Sequence, residues 1–492
     1  MTKIKNQSKL TLFDVTNLVV GAIVGADIYV ASSFGAGYLG PASLLVWVVA
    51  GVVAIVIALA FAQCAALVPK VGGSYAYAKE AWGPFPGFIV GWSLWLAEWV
   101  SLAVFPVAFV RYLMFFFPDL SLTYQIIIKA LFVTVLATSN IIGSKSAGRT
   151  NDVLTLVKLS PLILFSVIGL IFMVLHPVAT MSNFAPFSPF GYSNFGLALV
   201  LIFWAYAGFE ISTLPADEIE NPGRTIPRAI VLGISIVTIF YMVTNTVLFG
   251  VRPSIQLASD TAPLASATAF VLSFNPTWLL IGGTFVGIGA LISVAGSDES
   301  GMIGTTSLGY ALAVDGLFPR AFTKIHRRFK TPYLIILFQS TTALIASLLG
   351  SLSLLVATSV FLLGVAYLAT SASVFSLRRK HRRPSFRIRG GRVIPVLGVI
   401  FSLYIISQCS VSQILLGLAL IVVGIPIFAK YAPKKELREL KAELLSPRAF
   451  MERARRQEKR FLAHLLAHVK HLYRRIAGKK PSQVQLELRR ED

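Results

Sequence analysis

Six ionisable side chains stand inside stretches that are otherwise apolar. Asp27 interrupts GAIVGADIYV (21–30), Glu98 lies in GWSLWLAEWV (91–100), and Lys158 sits in the run that begins at Val153. Glu210 closes FWAYAGFE (203–210), and Asp298 and Glu299 stand side by side in SVAGSDESG (293–301). A charge in such a run is costly unless it meets water, a partner or a bound ion. Carboxylates placed this way hold a cation, exchange a proton or satisfy backbone amides. For Asp27 all three readings stand open: it binds an amine ligand, it binds a proton, or it caps a helix by accepting amides at N2 or N3. Adjacent residues of a helix point about 100° apart, so Asp298 and Glu299 cannot face one partner. One of them pairs with Lys158 or lines an inner vestibule, or both mark a hydrated helix end.

The elements that must carry these residues follow from composition. The chain has 492 residues, 55% hydrophobic and only 13% charged, with mean hydropathy +0.74. Apolar runs of about 20 residues recur, each long enough to cross about 30 Å of hydrocarbon. An all-α polytopic membrane protein is expected, with about twelve transmembrane helices. The spans fall near 12–36, 41–68, 85–117, 122–143, 152–176, 194–216, 226–250, 276–300, 332–350, 353–377, 393–411 and 412–430. No short apolar region with a small-residue cleavage site precedes the first span, so no removable signal peptide is expected. Cys64 and Cys409 fall in or beside apolar runs and read as packing residues.

The net charge of +22 has a topological origin. With the N-terminus inside, Arg111, Lys129 and Arg252 lie toward the outside and Lys158 within a span, while every other Lys and Arg falls on the inner face or in the tail. Such an asymmetry is the positive-inside rule and places both termini in the cytoplasm. Binding of nucleic acid is not expected. Residues 1–430 read as one transmembrane domain and 431–492 as a basic cytoplasmic tail. Phe461, Leu465, Leu466, Val469, Leu472, Tyr473 and Ile476 recur there at helical spacing among basic residues. They fit an amphipathic helix on the anionic membrane surface or a solvated tail with one helical stretch.

Two spans carry breaks. The first contains Gly21 and Gly25, and the sixth has Gly208 within FWAYAGFE. Backbone without helical partners is tolerated at membrane depth only where it lines a cavity or is buried in protein. Broken helices at corresponding places of two five-span halves mark the substrate site of many secondary transporters.

Five motifs in order resemble the amino acid–polyamine–organocation superfamily of transporters over roughly residues 10–430. They are VGAIVGADIYV in span one, PKVGGSYAYAKEAWGP (Pro69–Pro84), GSKSAGRTNDVLTLVKL (Gly143–Leu159), FWAYAGFEISTLPADEIENPGRTIPRAI (Phe203–Ile230), and YALAVDGLFPRAF (Tyr310–Phe322) followed by Thr331–Pro332. The resemblance implies a LeuT-like 5+5 inverted repeat with helices 1 and 6 broken and two further helices at the periphery. It implies alternating access for an amino acid or related amine, as an amino acid permease. The pocket it implies takes Ile23, Gly25, Ala26 and Asp27 from span one and Phe203, Trp204, Ala205, Tyr206 and Gly208 from span six. Amides opening the second half of span one would hold a substrate carboxylate, as a helix N-terminus holds any anion.

At position 27 the family has Gly or Ser, so Asp27 puts the usual amino-acid pose in doubt. Lys158 sits where some proton-coupled members carry a lysine whose ammonium replaces a sodium ion; the static alternative is an ammonium that locks carbonyls at the helix break. Glu210 matches a glutamate used by some members in proton-sensitive exchange, and in the bland reading it only bonds neighbouring helices. Lys158, Glu210, Asp298 and Glu299 are thus the coupling candidates. A proton is the expected partner beside substrate and bilayer.

Other classes fit less well. The histidines His176, His326, His381, His464, His468 and His471 are scattered through loops and tail, so no metal site, cofactor or catalytic constellation is expected. No repeated pore loop marks a channel. A polyamine or cationic amine carrier, or a transporter-like nutrient sensor using the tail, are the alternatives. Oligomeric state is not legible, because a lipid-facing stripe and a dimer stripe look alike.

Overall fold

A computed structural model describes residues 9–25, 27–68, 72–143, 149–210, 219–381, 384, 388 and 390–433, with side chains omitted over 149–158. The chain divides into two compact units, Met1–Ala432 and Pro433–Asp492. All the helices below belong to the first. The tail with its candidate amphipathic helix lies outside the described residues.

Helix α1 (Leu12–Ile23) starts on a reciprocal cap: Asp14 Oδ2 accepts from Thr11 N–H at 2.8 Å, and Thr11 Oγ1 accepts from Asp14 N–H at 3.4 Å. Both orphan donors of the helix start are thereby satisfied. Helix α2 (Asp27–Leu39) continues the first span, and α3 (Ser43–Leu67) is the second. A short helix, α4 (Gly73–Trp82), leads into α5 (Pro84–Leu113), the third span. Spans four and five are α6 (Leu122–Ile142) and α7 (Arg149–Leu175), the latter followed by α8 (Pro177–Asn183). Helix α9 (Phe195–Phe203) opens span six, and α10 (Pro222–Val251) is span seven. Two short helices, α11 (Ser254–Ser259) and α12 (Pro263–Val271), precede α13 (Pro276–Val314). The bundle ends with α14 (Tyr333–Leu349), α15 (Leu352–Lys380), α16 (Val393–Gln408) and α17 (Val411–Tyr431).

Every expected span therefore contains a helix. By length and hydropathy, seven of the described helical stretches can cross a membrane, and an eighth if α7 and α8, bent by 109°, are taken as one. The other four expected spans hold apolar helices of 10–17 residues. Length alone thus supports seven or eight crossings, not the full twelve. Helix α13 departs from its expected end near 300 and runs on to Val314; at 1.5 Å per residue its 39 residues reach about 58 Å, well past one bilayer core.

Position in the bundle follows from which faces are covered. The most apolar stretches of α5 and α15 are 72% buried, whereas that of α17 is 22% buried. Helices α5 and α15 pack on each other at the centre, with α13, α14 and α4 against α5 and with α16 against α15. Helix α17 presents Val411, Leu415, Val422 and Val423 outward, as a peripheral helix facing lipid does. Polar side chains inside the bundle bond along or between helices. Gln339 Nε2 donates to Met302 O at 3.0 Å and to Thr306 Oγ1 at 2.8 Å. Cys64 and Cys409 are free and buried.

Candidate functional site

The first span breaks later than its glycines suggest. Gly21 is inside α1, which continues to Ile23; Val24 is extended at φ −75°, ψ 110°, and α2 begins at Asp27. The helix therefore runs through Gly21 and ends at Ile23, later than a break opening at Gly21. Ala26 lies outside the described residues. Asp27 is the first residue of α2, so its charge sits at the positive end of the half-helix dipole. Gly25 is needed for a close approach: a Cβ there would fall 2.7 Å from Ser297 Oγ of α13 and 3.4 Å from Asp27 Oδ2.

The sixth span breaks as its glycine suggests. After α9 a single 3₁₀ turn covers Trp204–Tyr206, then Ala207 is extended at φ −64°, ψ 157° and Gly208 adopts φ +117°. That φ belongs to glycine. A Cβ on Gly208 would also lie 2.2 Å from Ala22 O, the last turn of α1. The two breaks thus touch. Tyr241 of α10 joins them, its hydroxyl lying 3.4 Å from Ile23 O and 3.2 Å from Ala205 O. Near the other end of α1, Leu10 and Ile219 form a parallel bridge, with Glu220 N–H donating to Leu10 O at 3.0 Å.

The aromatic residues of span six are buried and individually held. Trp204 Nε1 donates to Ser101 Oγ at 3.1 Å, and its ring lies 5.7 Å from that of Phe105. Ser101 in turn bonds Ser359 Oγ at 2.9 Å, and Ser359 donates to Ala97 O at 3.0 Å. Phe203 packs edge-on against Tyr367 at 6.2 Å. Tyr206 donates to Trp47 O at 2.7 Å, directing its hydroxyl to α3.

One carboxylate is bonded at the second break itself. Glu210 is 4% exposed; its Oε2 accepts from Gly208 N–H at 3.0 Å. Glu98 lies on α5, the helix whose Ser101 and Phe105 touch Trp204 of the sixth span. The Asp27 charge reaches Tyr241. Glu98 carries no assigned role at the sequence level. The remaining coupling candidates are elsewhere on α13 and α7. Asp298 is buried with Oδ1 unpartnered among the described residues, and Glu299 accepts from Ser139 Oγ of α6 at 3.0 Å. The Lys158 side chain lies outside the described residues.

Sequence reasoning missed Tyr241, Tyr367, Ser101 and Ser297. A hydroxyl in a long apolar run must find an acceptor, so Tyr241 in TIFYMVTN and Tyr367 in LLGVAYLATS carried a readable signal. Glu98 and Ser101, three apart, likewise mark one polar face of α5.

With this geometry in hand, comparison with known proteins places the chain. The amino acid permease family model matches residues 10–427. The branched-chain amino acid permease BcaP of Bacillus subtilis is 28% identical over 446 residues, covering 87% of this chain and 93% of its own. The methylthioribose transporter of the same organism is 26% identical, covering 87% and 94%. Its serine/threonine exchanger SteT is 26% identical, covering 86% and 96%. The chain is an integral multi-pass membrane protein and belongs to the amino acid permease family of the amino acid–polyamine–organocation superfamily.

Proposed function

We propose that the protein is a secondary active carrier, not an enzyme, that moves an amino acid or related amine across a membrane by alternating access. The observation that carries this reading is the contact between the two helix breaks, Gly208 against Ala22 O, with Tyr241 bonded to the ends of both. Carbonyls and amides released from helical pairing at one point supply acceptors for an ammonium and donors for an anion, without any side chain having to move. On this reading the substrate lies among Ile23, Gly25, Ala26, Asp27, Trp204, Ala205 and Gly208. Phe203 and Tyr206 form the buried wall behind them. The repeat is LeuT-like, five plus five spans, with the eleventh and twelfth peripheral.

Coupling is to protons or to exchange. Lys158, Glu210 and Asp298 are the groups in the bundle that would hold the proton, and Glu299 lies at the α13–α6 contact. The domain 1–430 is the carrier in the plasma membrane, and 431–492 is a basic cytoplasmic tail with an amphipathic stretch that either binds the anionic membrane surface or is solvated. The family relatives named as permease and exchanger support the transport reading.

The test is uptake by the purified protein in liposomes, measured for a labelled panel of amino acids and amines with and without an inward proton gradient. Gradient-stimulated uptake establishes proton coupling. Uptake that instead requires internal substrate establishes exchange. Absence of both for every compound overturns the carrier reading and leaves a nutrient sensor.

A further inference from the structure

The loop joining α13 to α14 takes no part in the two breaks, yet it is built to a fixed shape. Phe318 packs 5.5 Å from Trp92 and 5.3 Å from Trp95 of α5, and Phe322 lies 5.1 Å from Phe338 of α14. Thr331 Oγ1 donates to Ile141 O of α6 at 2.5 Å. Between these anchors the chain closes on itself: His326 N–H donates to Thr331 O at 2.8 Å and Lys330 N–H to His326 O at 3.0 Å. The N–H groups of Arg328 and Phe329 both donate to His326 Nδ1 at 3.2 Å. A ring nitrogen that accepts leaves the proton of a neutral imidazole on the other nitrogen, so Nε2 is a donor.

The charge of this loop has one sign. Residues 316–332 hold Arg320, Lys324, Arg327, Arg328 and Lys330 and no Asp or Glu. Asp315, just ahead, is engaged by Lys79 and Tyr75, and among the described residues no carboxylate pairs with the cations of the loop. Lys324, Ile325, His326, Arg327, Arg328 and Tyr333 line an open concavity of about 660 Å³. The positive-inside rule accounts for an excess of Lys and Arg on this face, but it asks for neither a folded turn nor a shared cavity. The tail beyond 431 is itself net basic and brings no excess of negative charge to fill it. Ile325 beside the cations is exposed, as are Leu337 and Phe338, one turn beyond Tyr333 in α14. Clustered cations that continue into an apolar helix surface match a ligand with an anionic head and hydrocarbon chains.

We propose that the α13–α14 loop binds the phosphodiester headgroup of an anionic inner-leaflet phospholipid. Lys324, Arg327, Arg328 and the Nε2 donor of His326 surround the phosphate, and the acyl chains run along Leu337 and Phe338. The planar fork of arginine matches two phosphate oxygens at once, and a turn already closed lowers the entropy cost of gathering the cations. The inference is independent of the substrate and of the carrier reading.

The probe is phosphatidylglycerol with a photoreactive group in its headgroup, carried in phosphatidylcholine nanodiscs that hold the full-length protein, with crosslinked peptides mapped by mass spectrometry. Crosslinks are expected in Lys324–Tyr333, displaced by excess unlabelled phosphatidylglycerol and not by inorganic phosphate. Lys324→Gln/Arg327→Gln should lower their yield about tenfold, because each cation at an anionic membrane surface is worth a several-fold change in affinity. Both side chains are exposed, so the melting temperature of this variant should match that of the parent. Arg379→Gln/Lys430→Gln removes the same charge from two exposed positions at the ends of α15 and α17, and should leave the loop crosslinks unchanged. Crosslinks to the tail fall in other peptides and do not enter the comparison. Equal loss in the two double variants would reveal diffuse surface charge and overturn the site. Displacement by inorganic phosphate as effective as that by phosphatidylglycerol would make it a site for soluble anions and overturn the lipid assignment. Absence of crosslinks from Lys324–Tyr333 overturns the inference outright.

Discussion

Gly208 lies so close to Ala22 that a Cβ on it would fall 2.2 Å from the Ala22 carbonyl oxygen. The obstacle is backbone, which cannot rotate aside, and the residue also holds φ +117°. Gly208→Ala should therefore separate the two breaks and lower the melting temperature sharply, the backbone conformation alone costing about 1–3 kcal/mol. Gly191 is the control. It adopts φ +70° with open space around the same position, so Gly191→Ala should cost only about 1–2 kcal/mol. Equal destabilisation of the two variants in thermal melts would show that the Ala22 contact is unimportant.

The approach of Gly25 to Ser297 makes a different forecast, because here the obstacle is the end of a side chain. A Cβ on Gly25 would be 2.7 Å from Ser297 Oγ but 3.6 Å from Ser297 Cβ, an ordinary contact. Gly25→Ala should impair both melting temperature and uptake. The double variant Gly25→Ala/Ser297→Ala should recover most of the loss, a coupling of the size seen for touching residues, about 0.5–3 kcal/mol. A strictly additive double-mutant cycle would argue against it.

Tyr241 offers one hydroxyl to two carbonyls, Ile23 O at 3.4 Å and Ala205 O at 3.2 Å. Tyr241→Phe keeps the ring, which packs 5.2 Å from Trp47 and 5.6 Å from Tyr206, and removes only the bridge. The expected cost in stability is about 1–3 kcal/mol, that of leaving buried acceptors unpaired. The maximal uptake rate should change more than the apparent substrate affinity, since the bond links the broken helices rather than contacting substrate. A change confined to affinity would place Tyr241 in the substrate site instead.

At one end of the bundle, α4 is tied to the end of α13 and to α15. Lys79 Nζ lies 3.2 Å from Asp315 Oδ2, and the Tyr75 hydroxyl donates to the same carboxylate. His381 Nε2 lies 3.3 Å from Glu80 Oε1, and Trp82 Nε1 donates to Ser376 Oγ at 2.9 Å. The Lys79 and Asp315 side chains are 34% and 39% exposed. Solvent screens such a pair to about 0–1 kcal/mol, so Lys79→Met should barely move the melting temperature. The residual effect should shrink further at high salt. A loss of several degrees that persists in high salt would mean the pair acts as a buried bridge.

The residues themselves determined the class of molecule. Apolar runs of bilayer length point to a polytopic helical membrane protein, and Gly208 announced the second break because a glycine accepts the positive φ found there. The charges at Asp27, Glu98 and Glu210 were equally legible as anomalies, since a carboxylate in an apolar run demands a reason. What the linear order cannot carry is adjacency between elements. Ser101 and Trp204 are more than a hundred residues apart, and only the packing of α5 against the sixth span brings them together. The first break was drawn too early, at Gly21, because glycine weakens a helix without ending it; α1 runs through that residue to Ile23, two residues before the Gly25 that approaches Ser297. A hydroxyl in an apolar run is a signal the sequence carries at Tyr241, but that it meets Ile23 O and Ala205 O at the two breaks is decided by packing. Chemistry at this site depends on distances of a few ångströms between separate helices, and those distances are set by tertiary packing.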